Sequence, residues 1–201
     1  SIYRDKQLNI EDYFNGNSIN KSKYKKDLSV DRKLIGLEQM LWIKNNLNKK
    51  FKWSIIGQQV LMAQVYLPTI FANMNKKILP DYLHKYLKIG GANVPFNTDA
   101  WDGYPKERER LFKELKKVNS VLVLTGDTHN SWLNNLYDAN NNFIGVEIGT
   151  PAISSPNTID TFGSLTDRIE EGFIKENKNV KWTEGKHKGY TLLKLTKDKS
   201  E

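Results

Sequence analysis

The residue types best suited to chemistry in this sequence follow an apolar run. Residues 120–125 read Ser-Val-Leu-Val-Leu-Thr and are followed by Gly126, Asp127 and His129. The run predicts a buried strand that presents polar groups at its C-terminal end. Extended backbone would let the Asp127 carboxylate and the His129 imidazole converge on one metal ion, with Thr128 pointing away. Oxygen and nitrogen ligands together suit iron, zinc or manganese, and a carboxylate alone suits calcium or magnesium.

A structural interpretation of the same residues stays open. Gly-Asp is a common turn after a strand, and an Asp-x-His pair also occurs by chance. Two side chains do not complete a catalytic metal centre, which generally needs three or more protein ligands. Ser154 and Ser155 make a weaker hypothesis of a nucleophile, because no G-x-S-x-G pattern surrounds them.

Composition narrows the function classes. The 201 residues suffice for one sizeable core, and 38% of them are hydrophobic. The net charge of +8 would attract anions, but the 31 basic residues are scattered among 23 acidic ones, so a nucleic-acid-binding stripe is not predicted. The sequence has no cysteine, which excludes disulfides and thiolate metal sites. It shows neither a membrane-spanning apolar run nor a signal peptide.

Hydrophobic periodicity and turn residues predict the elements that position these groups. Residues 1–30 are polar and basic and predict an irregular segment, ordered only where it packs on something else. In the next predicted helix, Trp42 and Ile43 widen the apolar stripe and are expected in the core. Helices are predicted at 32–48, 81–87, 105–118 and 160–175, and strands at 51–56, 120–125, 143–148 and 189–195. Residues 133–138 are expected to cross to a loop, since residues 138–142 are rich in turn formers. A helix followed by a strand that ends in polar residues is typical of α/β proteins.

Two further polar segments have alternative roles. Residues 97–105 combine Trp101, Asp102 and Tyr104 with an Asp-Gly turn, and they either wall a pocket or only turn the chain. Gln58 and Gln59 follow the strand predicted at 51–56. They either line a site or satisfy backbone groups at the turn, and the second role is the safer interpretation.

Four segments together resemble the PhoD-like alkaline phosphatase D family of metallophosphoesterases. The first is Trp-Ser-Ile-Ile-Gly-Gln-Gln-Val at 53–60, and the second is Asp-Ala-Trp-Asp-Gly-Tyr-Pro at 99–105 with Arg108. The third is Thr-Gly-Asp-Thr-His-Asn-Ser-Trp at 125–132, and the fourth runs from Val146 to Pro156. They occur in the family's order. The resemblance spans nearly the whole chain but only the C-terminal portion of the family, whose earlier metal-binding aspartates have no counterpart here.

The resemblance implies an α/β fold that forms the C-terminal part of a calcineurin-like αββα sandwich, with residues 1–201 belonging to one domain. It implies hydrolysis of phosphate monoesters or diesters with iron and calcium, in the periplasm or outside the cell. On the matching positions, Asp127 and His129 would be catalytic metal-site residues. Asn130, Trp101, Asp102 and Tyr104 would border the substrate pocket. The expected partners are the phosphate ester and the missing N-terminal half of the domain.

A rival interpretation is a non-catalytic binding module that retains this half of the sandwich. Its basic surface would bind anionic ligands without hydrolysing them. Metal dependence separates the two interpretations, because only the enzyme needs a metal centre.

Overall fold

The centre of the fold is a mixed five-stranded sheet, seen in a computed structural model that describes residues 4–197 except the side chain of Ile78. The five strands are β3 (Ser54–Gly57), β4 (Val121–Thr125), β5 (Ser131–Tyr137), β6 (Phe143–Gly149) and β7 (Val180–Glu184). Their order is β3-β4-β6-β5-β7. Strands β3, β4 and β6 run parallel, and β5 is antiparallel to both β6 and β7. The C-terminal ends of β3, β4 and β6 therefore meet at one edge of the sheet.

Six helices surround the sheet within residues 4–197. They are α1 (Lys21–Leu28), α2 (Gly36–Asn46), α3 (His84–Leu87), α4 (Pro105–Leu115), α5 (Thr158–Phe162) and α6 (Thr166–Glu176). Helix α4 begins at Pro105, whose fixed φ suits a first helical turn, and buries Leu111, Phe112 and Leu115 in the core. The predicted α/β class is confirmed.

The prediction that residues 1–30 are irregular is wrong for most of this segment. It holds a 3-10 turn at Ile10–Tyr13, a hairpin of β1 (Phe14–Asn15) and β2 (Ser18–Ile19), and helix α1. Residues 1–3 lie outside the described residues. The segment is ordered because it packs: Tyr24 is fully buried and its hydroxyl donates a 2.7 Å hydrogen bond to the Pro95 carbonyl.

Two strand predictions also need correction. Residues 133–138 were expected to form a loop, yet β5 runs through them and alternates buried Trp132, Asn134 and Leu136 with more exposed residues. The buried asparagine hid the alternation that normally indicates a strand. The last strand was predicted at 189–195, but β7 closes the sheet by pairing with β5.

Helix α2 begins later than predicted, and part of its apolar stripe is exposed to solvent. The Glu107 carboxylate accepts hydrogen bonds from the backbone N–H groups of Leu34 and Ile35, which holds the chain there outside the helix. Trp42 is 67% exposed, so its predicted core position is wrong, whereas Ile43 is partly buried against the core.

The two faces of the sheet differ in their cover. Trp132, Leu136 and Val123 point into the main core on one face. On the other face, Gly57, Leu124, Ile148, Leu133 and Trp182 are paired in register across all five strands. We call this row the open face, since Leu133 is 38% and Trp182 47% exposed. Apolar residues in register on an exposed face are typical of a surface that packs against a further layer.

Candidate functional site

Asp127 and His129 lie in the loop that follows β4, at the edge where the parallel strands end. The expectation that extended backbone aligns them is wrong. Their φ angles are 72° and 65°, so both residues adopt the left-handed conformation. Asp and His visit this region more often than most residues, but holding two non-glycine residues there stores strain. Such strain persists where surrounding structure over-determines the loop, and it is concentrated at functional sites.

Backbone hydrogen bonds from the neighbouring strand ends fix this loop. The N–H of Gly126 donates to the Gln59 carbonyl at 3.1 Å, which ties the loop to the segment after β3. On the other side, the N–H of Ala152 donates to the His129 carbonyl at 3.2 Å. The segments that follow β3 and β6 therefore hold the site loop between them.

The His129 ring is oriented by a backbone carbonyl. Its Nδ1 lies 2.8 Å from the Pro156 carbonyl oxygen, and a hydrogen bond there requires the proton to be on Nδ1. No described residue bonds to Nε2, which is then the ring nitrogen with a free lone pair. A carbonyl behind one nitrogen and an open second nitrogen is the arrangement found in metal-ligating histidines.

Asn130 links the site loop to helix α5. Its Oδ1 accepts from the Thr158 N–H at 3.2 Å, and its Nδ2 donates to the Thr158 hydroxyl at 2.6 Å. Asn130 is buried, and both it and Asp127 line a cavity of about 270 Å³. The structure therefore brings Asn130 to the same cavity as Asp127.

The structure places Trp101, Asp102 and Tyr104 in the core, and none of the three lines that cavity. The indole of Trp101 donates to Gln58 Oε1 at 3.0 Å, and Trp101 lines separate clefts beside Gln58. The Tyr104 hydroxyl donates to the Asp5 carbonyl. These contacts give the two aromatic residues structural roles.

Asp102 forms a buried ion pair with Arg108, at 2.6 Å between Oδ1 and Nη1. Its other oxygen accepts from the Val65 N–H at 2.9 Å. Burial raises the pKa of Asp102, and the charge of Arg108 opposes that shift. The pair fixes the segment after β3, since Arg108 also donates to the Met62 carbonyl.

Gln58 satisfies backbone groups at its own turn. Its side chain accepts from the Val60 N–H and donates to the Val60 carbonyl. The safer interpretation made from the sequence is confirmed for Gln58.

Glu147 is a site-supporting residue that the sequence did not reveal. It lies in the middle of β6 and is fully buried. Its carboxylate accepts from the N–H groups of Met62 at 2.6 Å and Ala63 at 3.0 Å, and from the Asn134 amide at 3.0 Å. Burial raises the pKa of Glu147, and these hydrogen bonds oppose the shift. A glutamate within Val-Glu-Ile could have been recognised only from its partners on other elements.

Comparison with known proteins connects this site to a family. The family model of the PhoD-like phosphatases matches residues 2–201. The chain belongs to the PhoD-like phosphatase family. Alkaline phosphatase D of Bacillus subtilis (strain 168) is 31% identical over 202 aligned positions, which cover 96% of this chain and 29% of that protein. A solved structure of PhoD superposes with a TM-score of 0.62 at 29% identity, covering 94% of this chain and 31% of the other.

These comparisons confirm the resemblance and the fold. The chain spans less than a third of each PhoD-like relative, and its mixed sheet is consistent with part of a PhoD fold. The family is one of hydrolases, since the matching family model and the matching relative are both phosphatases. Among residues 4–197, no helix is both long and apolar enough to cross a membrane.

Asp127 and His129 carry the donor types that metal ions bind. A carboxylate at Asp127 and an imidazole at His129 supply the oxygen and nitrogen that iron or a similar ion accepts. Within residues 4–197, however, no group of three or more His, Asp or Glu side chains is arranged to hold an ion. Further ligands would have to come from outside the described residues.

Proposed function

We propose that this chain is the C-terminal part of a metal-dependent phosphoesterase domain that hydrolyses phosphate monoesters or diesters. The observation that carries the proposal is the His129 ring, whose Nδ1 bonds to the Pro156 carbonyl while no described residue bonds to Nε2. Family membership supports the reaction class.

Asp127 and His129 would act as metal ligands. Iron and calcium are the ions that the family resemblance proposes. Metal ions bound at such a site withdraw charge from phosphoryl oxygens and lower the pKa of a bound water. The chain's own contribution is positional. The Pro156 carbonyl selects the tautomer of His129, and the hydrogen bonds of Gly126 and Ala152 hold the strained loop in place.

The remaining ligands would come from the rest of the domain, docked on the open face. The in-register row from Gly57 to Trp182 offers a second sheet an apolar surface across all five strands. Two sheets that pack face to face bury such rows about 10 Å apart. Family resemblance also proposes a location in the periplasm or outside the cell.

The test measures hydrolysis of p-nitrophenyl phosphate and bis-p-nitrophenyl phosphate with iron and calcium supplied and then chelated. We expect turnover from the domain that includes its upstream portion, and none from the 201-residue chain alone. His129→Ala should abolish it. His187→Ala is the matched control, because the side chain of His187 is 86% exposed. Equal rates for the two variants would contradict the assignment of His129.

The rival binding module makes a different prediction. Phosphate-ester binding that is unchanged by chelation and by His129→Ala would support it and refute the metalloenzyme. Calorimetric titration of the assembled domain with calcium and with phenyl phosphate separates these outcomes.

A further inference from the structure

The cavity beside the site loop has a largely apolar wall that includes six aromatic rings. Phe71, Tyr86, Phe96, Trp132, Phe162 and Phe173 all line it. Their rings pack edge-on or tilted, with centroids 5.3 Å apart for Trp132 and Phe173 and 5.6 Å apart for Phe71 and Phe162. We call this space the aromatic cavity. Such ring arrangements are rigid and leave a defined apolar space.

The polar part of its wall is concentrated at the site loop. Asp127, Thr128 and Asn130 come from that loop, and Thr158 is hydrogen-bonded to Asn130. Asp127 is the only charged residue in the lining, and all lining residues belong to the described part of the chain. The cavity therefore joins an apolar wall to the group that is proposed to bind metal.

Its size separates it from an ordinary packing defect. Voids inside well-packed cores are usually smaller than a water molecule or close to it. A cavity of about 150 Å³ lined by Leu, Ile and Phe can stay dry and bind benzene. The aromatic cavity, at about 270 Å³, exceeds that volume and has room for a fused two-ring group.

We propose that the aromatic cavity binds the apolar group of a phosphate ester, about the size of a naphthyl ring, while the phosphoryl group lies at the Asp127–Asn130 loop. The inference rests on the proposed phosphoesterase function and adds a substrate class to it. The apolar part of the wall gains free energy from burying a ring, and the polar side chains at the site loop fix the orientation of the ester.

The test records methyl NMR spectra of the domain that includes its upstream portion during titration with 1-naphthol, 1-naphthyl phosphate and methyl phosphate, with calcium present. We expect 1-naphthol and 1-naphthyl phosphate to shift the methyl signals of Leu61, Ala63 and Ile169, which line the cavity. Methyl phosphate should leave these signals unchanged, because it has no apolar ring.

Two variants establish where the ring binds. Leu83 lines the cavity, and Leu83→Trp should fill part of it and weaken 1-naphthol binding at least about fivefold. Leu192 is 82% exposed and does not line the cavity, so Leu192→Trp is the matched control. Should Leu83→Trp fail to fold, Phe96→Ala gives the second test. It enlarges the cavity and should favour 4-phenylphenol over 1-naphthol relative to the unmodified chain.

The outcomes separate the two proposals. Unshifted cavity methyls, or equal weakening by Leu83→Trp and Leu192→Trp, would overturn the cavity assignment. Cavity shifts with 1-naphthyl phosphate, but no phosphate-dependent shift in the amides of 127–130, would refute the placement of the ester and the proposed function while the apolar site stands. Shifts in both regions with 1-naphthyl phosphate, together with shifts of the cavity methyls alone with 1-naphthol, support the substrate class.

Discussion

Removing the Glu147 carboxylate is expected to destabilise the segment after β3 that holds the site loop in place. Glu147 on β6 holds the backbone at Met62 and Ala63, in the segment that follows β3, and also accepts from the Asn134 amide. The segment it holds continues back to Gln59, whose carbonyl accepts the hydrogen bond from Gly126. Glu147→Ala should therefore loosen the loop that carries Asp127.

The magnitude follows from the donors left behind. Glu147→Ala strands three donors in a buried site, and each buried donor without an acceptor costs about 1–3 kcal/mol. Partial relaxation of the segment limits the total, so we expect a loss of about 3–5 kcal/mol in the free energy of unfolding. Glu147→Gln keeps one acceptor oxygen and buries no charge, so it should cost less, about 1–2 kcal/mol.

Urea unfolding measures these values, and hydrogen exchange reports the local effect. Glu171→Ala is the control. The Glu171 side chain is 64% exposed and pairs with Lys175 at the surface, so its loss should change the free energy of unfolding by no more than about 0.5 kcal/mol. Exchange should rise at the amides of Met62, Ala63 and Gly126 in Glu147→Ala. Unchanged stability or unchanged exchange at these amides would refute the reasoning.

The effect of Glu147→Ala on the free energy of unfolding should also depend on pH. Burial raises the pKa of Glu147 above its unfolded value, so the folded state favours the protonated form. The stabilisation from protonation is complete below the unfolded pKa of about 4.3 and is lost as pH rises through the folded pKa. The difference between the unmodified chain and Glu147→Ala should thus be larger at about pH 5 than at about pH 8. A difference that grows with pH would show that the hydrogen bonds outweigh the burial.

Three further predictions concern other parts of the fold. The hydrogen bond from the Lys116 ammonium lowers the pKa of Asp138, so the Asp138 carboxylate stabilises the fold above about pH 4, and this stabilisation is lost as pH falls. Asp138→Asn should therefore reduce the decrease in melting temperature between neutral and acidic pH. Gly103→Ala would press a methyl group against the Thr98 carbonyl oxygen, so the free energy of unfolding measured in urea should fall by about 1–3 kcal/mol. An unchanged value would show that the turn moves to accommodate the methyl group. The exposed apolar residues of the open face should cause the chain to self-associate, and Leu133→Glu should reduce this in size-exclusion chromatography without changing the free energy of unfolding. Unchanged self-association would show that another surface mediates it.

Local sequence pattern predicted the elements whose signal is continuous along the chain. Strand β4 follows from an uninterrupted run of valine and leucine, and α4 from Pro105 together with buried residues at helical spacing. It failed where polar residues are buried or apolar ones exposed. Asn134 is buried in β5, and Trp42 is exposed on α2. Both positions depend on contacts with other elements, and no local periodicity encodes them.

The sequence by itself determined the family and the α/β class, and it predicted Asp127 and His129 as the metal-binding pair, because these inferences depend on residue types in a fixed local order. Only the tertiary structure decided how that pair is presented. The loop adopts a left-handed backbone conformation at Asp127 and His129. Its support comes from residues far apart in the chain: the Pro156 carbonyl bonds to the His129 ring, and the Glu147 carboxylate holds the segment at Met62. The structure also places Asp102 in a buried ion pair with Arg108. A buried carboxylate needs such a partner, because the charge beside it offsets the cost of removing the carboxylate from water.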